Sequence, residues 1–290
     1  MISDKKQEKR EEAVAHYVGL HQNAPWKFAV AALIILIYMI PLYVLFTMSF
    51  KGVSDTSTRL SLPQVWVFDN YISIIKDGTI FRAYLNSGIV AVGTTVCDVV
   101  LASVAAYPLA RNQSKLNKLV SNIFLGVMIV PPLTILVGVY TFLNGIHALN
   151  TYWGIILTLV AFNIPTSVFL YTNFIKSIPR ELDEASIVDG ASVSQTFFKI
   201  ILPQLKPITA TIIILHGVGA WNEYAYSMYV MQKPDLMTIT LTIRKYFSGV
   251  QTNYGGACAA AVLAILPMII IYVCLQDTFI QSQADSAVKG

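Results

Sequence analysis

Six stretches of this chain are long, apolar and almost free of charge, and they decide what it can fold into. A helix rises 1.5 Å per residue, so about 20 apolar residues cross the hydrocarbon of a bilayer. Residues 28–50 carry no charge, and neither do 119–143, 152–175 or 257–275. Residues 85–110 hold one acid, Asp98, and 208–231 hold one, Glu223. Only 12% of the whole chain is charged, against roughly 25% in a soluble domain, and its mean hydropathy is +0.61. The expectation is an all-α integral membrane protein with six transmembrane helices and both termini on one side. Prolines inside the runs (Pro41, Pro131, Pro132, Pro165, Pro267) are tolerated where neighbouring helices satisfy the freed carbonyls, so a packed bundle is expected.

Basic residues orient such a bundle. Thirteen of the 20 lysines and arginines fall on the side that holds the termini and the 111–118 and 176–207 connections, and seven fall on the other. That bias places both termini of this multi-pass protein in the cytoplasm. It divides the chain into a cytoplasmic arm (1–27), a six-span domain (28–280) that includes the 176–207 loop, and a cytoplasmic tail (281–290). A cleaved signal peptide is not expected, because the polar lead is long and no small-residue cleavage site follows the first run.

Several functions are excluded. The basic residues are scattered over loops, so no nucleic-acid face forms. Cys97, Cys258 and Cys274 show no metal-binding spacing, and the four histidines (His16, His21, His147, His216) are dispersed, so neither a metal site nor a catalytic triad is expected. No phosphate-cradling glycine motif occurs; the chain is expected to bind no cofactor and to perform no catalysis.

Against that background the 181–207 segment is unusual, because it is polar and regularly patterned. Pro179 suits a first helical position, and Glu181, Asp183 and Glu184 complement the helix dipole. Leu182, Ala185 and Val188 form a narrow apolar stripe. Gly190 ends the run as a left-handed C-terminal glycine would. Ser192 and Gln195 form a capping box that starts a second helix, expected to stop before Pro203. An amphipathic helix lying on lipid would favour basic residues, whereas the first helix here is acidic; a protein partner with a basic-rimmed pocket explains it better.

The residues "EASIVDGAS" followed by "FFKIILPQLKP" resemble the EAA motif of bacterial ABC-importer permeases, with Ser186 standing where alanine is usual. "FDNYISII", "AAYPLAR", "NTYWGIIL", "WNEYAYSM" and the terminal "SAVKG" are similar to the carbohydrate branch of that family, the maltose-importer kind. The resemblance implies the type I importer fold. It also implies a heterodimer with a second homologous permease, two copies of a cytoplasmic ATPase that uses ATP and Mg, and an extracellular solute-binding protein that delivers a carbohydrate. Glu184 would pair with a basic residue of the ATPase. Ala185 and Ser186 would permit close approach, and Asp189 and Gly190 would complete the coupling elbow. The loop holding Tyr246, Phe247, Ser248 and Gly249 would contact the binding protein.

Trp221, Asn222 and Glu223 offer an indole face and polar groups suited to a sugar, or else a structural cap. Asp98, about mid-span beside Thr94 and Thr95, is either functional or hydrogen-bonded inside the bundle. The rival reading is a proton- or ion-coupled secondary carrier, which would show inverted repeats and more intramembrane ionisable groups.

Overall fold

The computed structural model describes the backbone of residues 25–246 and 253–288, and side chains from 26 to 246 and 253 to 273. Among the described residues all regular structure is helical. Four helices are long and apolar enough to cross a membrane: α1 (Pro25–Ser49), α3 (Thr79–Arg111), α6 (Tyr152–Ser177) and the last, Tyr254–Val288. A short amphipathic helix, α2 (Asp69–Asp77), precedes α3. The four reach six when two bent pairs are each counted as a span.

The third expected span is broken. α4 (Lys115–Val127) gives way to the 3-10 turn Pro132–Ile135 and α5 (Leu136–Gly145), with a bend of 91°. The cause is the Pro131-Pro132 pair: neither residue can donate a backbone hydrogen bond, and Pro131, preceding a proline, takes the extended conformation (φ −62°, ψ 124°).

The polar segment forms α7 (Glu181–Val188) and α8 (Val193–Gln204). α8 corrects the expectation that its helix stops before Pro203. It runs through that proline because residues Phe197–Ile201 form a π turn, in which the Leu202 N–H reaches back to the Phe197 carbonyl. The wider turn absorbs the register in which Pro203 lacks a donor. A bend of 72° then leads into α9 (Lys206–Trp221). The fifth expected span also breaks, after Trp221. Glu223 Oε1 accepts from the Tyr226 N–H at 2.6 Å and Oε2 from the Ser227 N–H at 2.8 Å, which starts a separate helix, α10 (Ala225–Val230). α11 (Ile239–Lys245) follows, and α12 is the Tyr254–Val288 helix. α12 runs through the boundary expected at residue 280, so the backbone of the expected tail is helical as far as Val288.

α3 is the centre of the bundle, packed on α6 along most of its length and on α9. Ala102, Ala106 and Leu109 meet Val168, Tyr171 and Ile175 in one core cluster. Small residues let the backbones approach, as between membrane helices generally. A Cβ added to Gly93 would stand 2.7 Å from Ile156 Cδ1. α1 is different: its apolar side chains are exposed from Trp26 through Leu42, and its main contact is with α12.

At the end of the bundle where α3 begins, the connection from α1 is tightly held. Lys51, only 4% exposed, donates from Nζ to Ser57 Oγ and the Thr58 carbonyl at 2.7 Å each. Asn70 donates to the carbonyls of Ser49 and Lys51.

Candidate functional site: an outward-facing helix and the polar groups behind it

α6 ends because Ile178, preceding Pro179, is extended (φ −78°, ψ 128°). α7 begins at Glu181, so Pro179 lies before the N-cap residue Arg180 and not at the first helical position. Three acids occupy the first turn, where the exposed N–H groups favour negative charge.

The burial of α7 is the reverse of an ordinary surface helix. Its buried residues are polar, Asp183 and Ser186. Its apolar residues face out: Val188 is 86% exposed, Ile187 57% and Leu182 39%. Ala185 and Glu184 are exposed with them. Among the described residues no side chain of this protein pairs with the Glu184 carboxylate. Ser186 bonds the Thr196 hydroxyl at 2.7 Å. Its small size therefore serves close approach to α8 of the same chain, and of the two small residues only Ala185 lies on the open face.

The elbow is as the sequence suggested. Gly190 has φ +82°, its N–H reaches the Ile187 carbonyl, and the Ala191 N–H reaches the Ser186 carbonyl. Those two bonds are a Schellman closure. Asp189, exposed, is the C-cap residue. The Ser192–Gln195 capping box forms with both reciprocal bonds.

Asp183 is the inward acid. Its Oδ1 accepts from the Tyr107 hydroxyl at 2.7 Å. Its Oδ2 lies 2.8 Å from Arg111 Nη2, with both side chains 12% exposed; the contact is an ion pair set off the N–H line. Arg111 also donates to the Ile178 carbonyl. Sequence reasoning grouped Asp183 with the dipole-complementing acids, and no local signal distinguishes it.

Deeper in the bundle, Asp98 is fully buried. Its Oδ2 accepts from Ser167 Oγ at 2.6 Å and stands 2.5 Å from His216 Nδ1. The cluster joins α3, α6 and α9, which is the hydrogen-bonded alternative of the two expected for Asp98. A histidine in one apolar run and an aspartate in another were the available signal.

Glu223 is used as a cap, with the Ser227 hydroxyl also donating to it. Trp221 is buried, stacked on Tyr84 with ring centroids 6.3 Å apart, and donates to the Ala264 carbonyl. It borders a groove of about 670 Å³ between α3, α9 and α12, lined by Ala91, Val99, Ile214, Val218 and Met268. That lining is apolar and lacks the convergent polar groups a sugar requires. Asn222 alone of the three is exposed. Tyr246 packs on the cluster around Ile239 and Trp221; Phe247, Ser248 and Gly249 lie outside the described residues.

An all-helical, multi-span bundle that presents a helix–elbow–helix of polar sequence at one end has the architecture of an ABC-importer permease. The chain belongs to the family of binding-protein-dependent transport system inner membrane components, whose profile matches residues 98–284. It is 36% identical to the melibiose/raffinose/stachyose import permease protein MelC of Bacillus subtilis, over 90% of this chain and 95% of that one. It is 31% identical to the multiple sugar-binding transport system permease protein MsmG of Streptococcus mutans, over 97% and 100% respectively. The fold matches a crystal structure of a bacterial ABC transporter involved in import of the acidic polysaccharide alginate. That match has a TM-score of 0.75 at 22% identity and covers 87% of this chain and 94% of the other. These likenesses do not favour the secondary-carrier alternative.

Proposed function

We propose that this chain is one of two homologous permease subunits of a carbohydrate importer, driven by two copies of a cytoplasmic ATPase and fed by an extracellular binding protein. α7 and α8 lie in the cytoplasm with both termini, and α7 docks into the ATPase. The observation that carries this reading is the reversed burial of α7, with Leu182, Ile187 and Val188 bare beside a Glu184 that pairs with no described side chain, while Asp183 and Ser186 are turned inward. A helix so arranged spends its polar groups on its own protein and offers an apolar, acidic face to another. Glu184 meets a basic residue of the ATPase. ATP and Mg are bound there, since this sequence carries no phosphate-cradling motif. The names of the relatives support oligosaccharides as cargo. The outer connection that holds Tyr246, Phe247, Ser248 and Gly249 meets the binding protein, and Asn222 is the remaining candidate for sugar contact.

The test is co-purification, followed by crosslinking from Val188→Cys with a photoreactive maleimide in the assembled complex. An ATPase and a second permease should co-purify, the crosslink should join α7 to the ATPase, and Glu184→Arg should reduce it. Transport by this chain alone, or the absence of any ATPase crosslink, would overturn the reading.

A further inference from the structure

The two ends of α3 are each fastened by buried polar groups to a segment of different purpose. At its last turns, Tyr107 and Arg111 hold Asp183 of the docking helix. The Tyr107 ring also packs on Phe197 of α8, centroids 5.3 Å apart, so this end of α3 touches both arms of the elbow. At its first turns, Asn86, 1% exposed, donates from Nδ2 to the carbonyls of Asp235 at 3.0 Å and Met237 at 2.9 Å. Its Oδ1 accepts from the Tyr152 hydroxyl at 2.6 Å. Ser87, fully buried, accepts from the Ile239 N–H at 2.8 Å. The segment from Lys233 to Ile239 is thereby tied to α3 by three buried bonds, besides an exposed Arg82–Asp235 ion pair, that a helix packed only through alanines would not supply. Tyr107 and Asn86 are 21 positions apart on one helix, a separation of roughly 30 Å.

We propose that α3 is a strut, with Asp183 and Asn86 as the positioning residues at its two ends, which carries displacement of the docking helix to the 233–239 segment on the opposite face of the membrane. This rests on the reading of α7 as the ATPase-docking helix. A helix transmits displacement along its axis only if both ends are gripped. Apolar contacts between smooth helices allow sliding, whereas a bonded, buried carboxamide at one end and a carboxylate held by a hydroxyl and a guanidinium at the other resist it. Asp183 is the single acid of α7 placed to grip; Glu181 and Glu184 face away.

The experiment uses the complete complex in vesicles, with Lys233→Cys as reporter and ATP as the driving probe. The measured quantity is the rate at which an impermeant maleimide labels that cysteine, nucleotide-free and with ATP plus vanadate. The crosslink from Val188→Cys to the ATPase is measured alongside. With native α3 ends the labelling rate should change on trapping. Asp183→Asn keeps the shape and an acceptor for Tyr107 but loses the ion pair, and should shrink that change by roughly twofold to thirtyfold, the span reached by mutations within coupling networks. The crosslink to the ATPase should be preserved. Exchanging the pair, Asp183→Arg with Arg111→Asp, should restore part of the response, which a general loss of stability would not allow. Tyr152→Phe removes only the hydroxyl on Asn86, too small a change to block folding, and should weaken the response from the other end. An unchanged nucleotide response in both Asp183→Asn and Tyr152→Phe overturns the strut and leaves the docking reading intact. A response lost together with the crosslink also overturns it, because Asp183 would then serve docking itself. A crosslink missing in the unaltered complex overturns the docking reading.

Discussion

Replacing His216 with leucine removes one of the two partners of a fully buried carboxylate. Asp98 has 0% exposure, its Oδ2 holds both His216 Nδ1 and Ser167 Oγ, and its Oδ1 has no partner among the described residues. Two magnitudes compete. Removing one member of a buried ion pair costs about 3–5 kcal/mol, whereas a hydrogen bond between membrane helices averages only about 0.6 kcal/mol because the unfolded chain in the membrane also finds partners. Here the group left behind is a fully buried carboxyl with a single hydroxyl donor, so the cost lies well above an average interhelical bond, and His216→Leu should cost at least about 2 kcal/mol. Asp98→Leu leaves a neutral imidazole and the Ser167 hydroxyl, 3.1 Å apart, and should cost about 1 kcal/mol. With both replaced no polar orphan remains except Ser167, so the double variant should resemble Asp98→Leu alone. The resulting coupling equals the His216→Leu cost, at least about 2 kcal/mol, within the range for residues in one network. The assay is unfolding of the assembled complex in mixed micelles by titration with dodecyl sulfate, followed by the loss of helical circular dichroism. If His216→Leu costs no more than an average interhelical bond, or if the two changes add, the buried pair is not what joins α3, α6 and α9.

Gly190 has φ +82° and a Cβ there would meet nothing within 4 Å, so substitution strains only the backbone, by about 1–2 kcal/mol for an L residue. Stability and ATP-driven uptake should fall in the order Asn, Ala, Val at this position; a valine variant matching glycine in both would refute the left-handed requirement. The orientation predicts that an impermeant maleimide labels Ser194→Cys only from inside and Gln232→Cys only from outside, and the opposite sidedness would invert the topology. Deleting residues 284–290 should lower uptake while leaving complex abundance unchanged, and equal uptake at equal abundance would show that segment to be a spectator.

The long, nearly uncharged runs made α1, α3, α6 and α12 legible, because length and scarcity of charge are all a straight span requires. The breaks were harder. Pro131-Pro132 announced an interruption, yet an apolar run of constant composition reads as one rod wherever the chain turns within it. At Glu223 the polar signal was ambiguous between ligand and cap, and the difference lies in whether Tyr226 and Ser227 fold back onto it. In the 181–207 segment, Gly190 and the Ser192–Gln195 box were decided by neighbours within three residues, and such local chemistry is readable. Pro203 was misjudged because a π turn upstream cancels the usual penalty. Asp183 and Asp98 took their roles from Arg111, Tyr107, Ser167 and His216, all distant in the chain, and no pattern in the sequence announces such meetings.

The Asp98–His216 contact has a consequence for how the chain is made. The two residues are 118 positions apart, and synthesis proceeds at about 5–20 residues per second. After the second run leaves the ribosome, Asp98 therefore waits roughly 6–24 s at that rate before its imidazole partner emerges. Ser167 arrives sooner, 69 positions on, but it brings one neutral donor. An aspartate at mid-span costs about 2.5–3.5 kcal/mol to release into lipid. The nascent second helix is thus better held beside the insertion machinery than set free, and the bundle closes around its acid only when the fifth run is delivered. The acid of the second run thus gains its imidazole partner only after three further runs have been made.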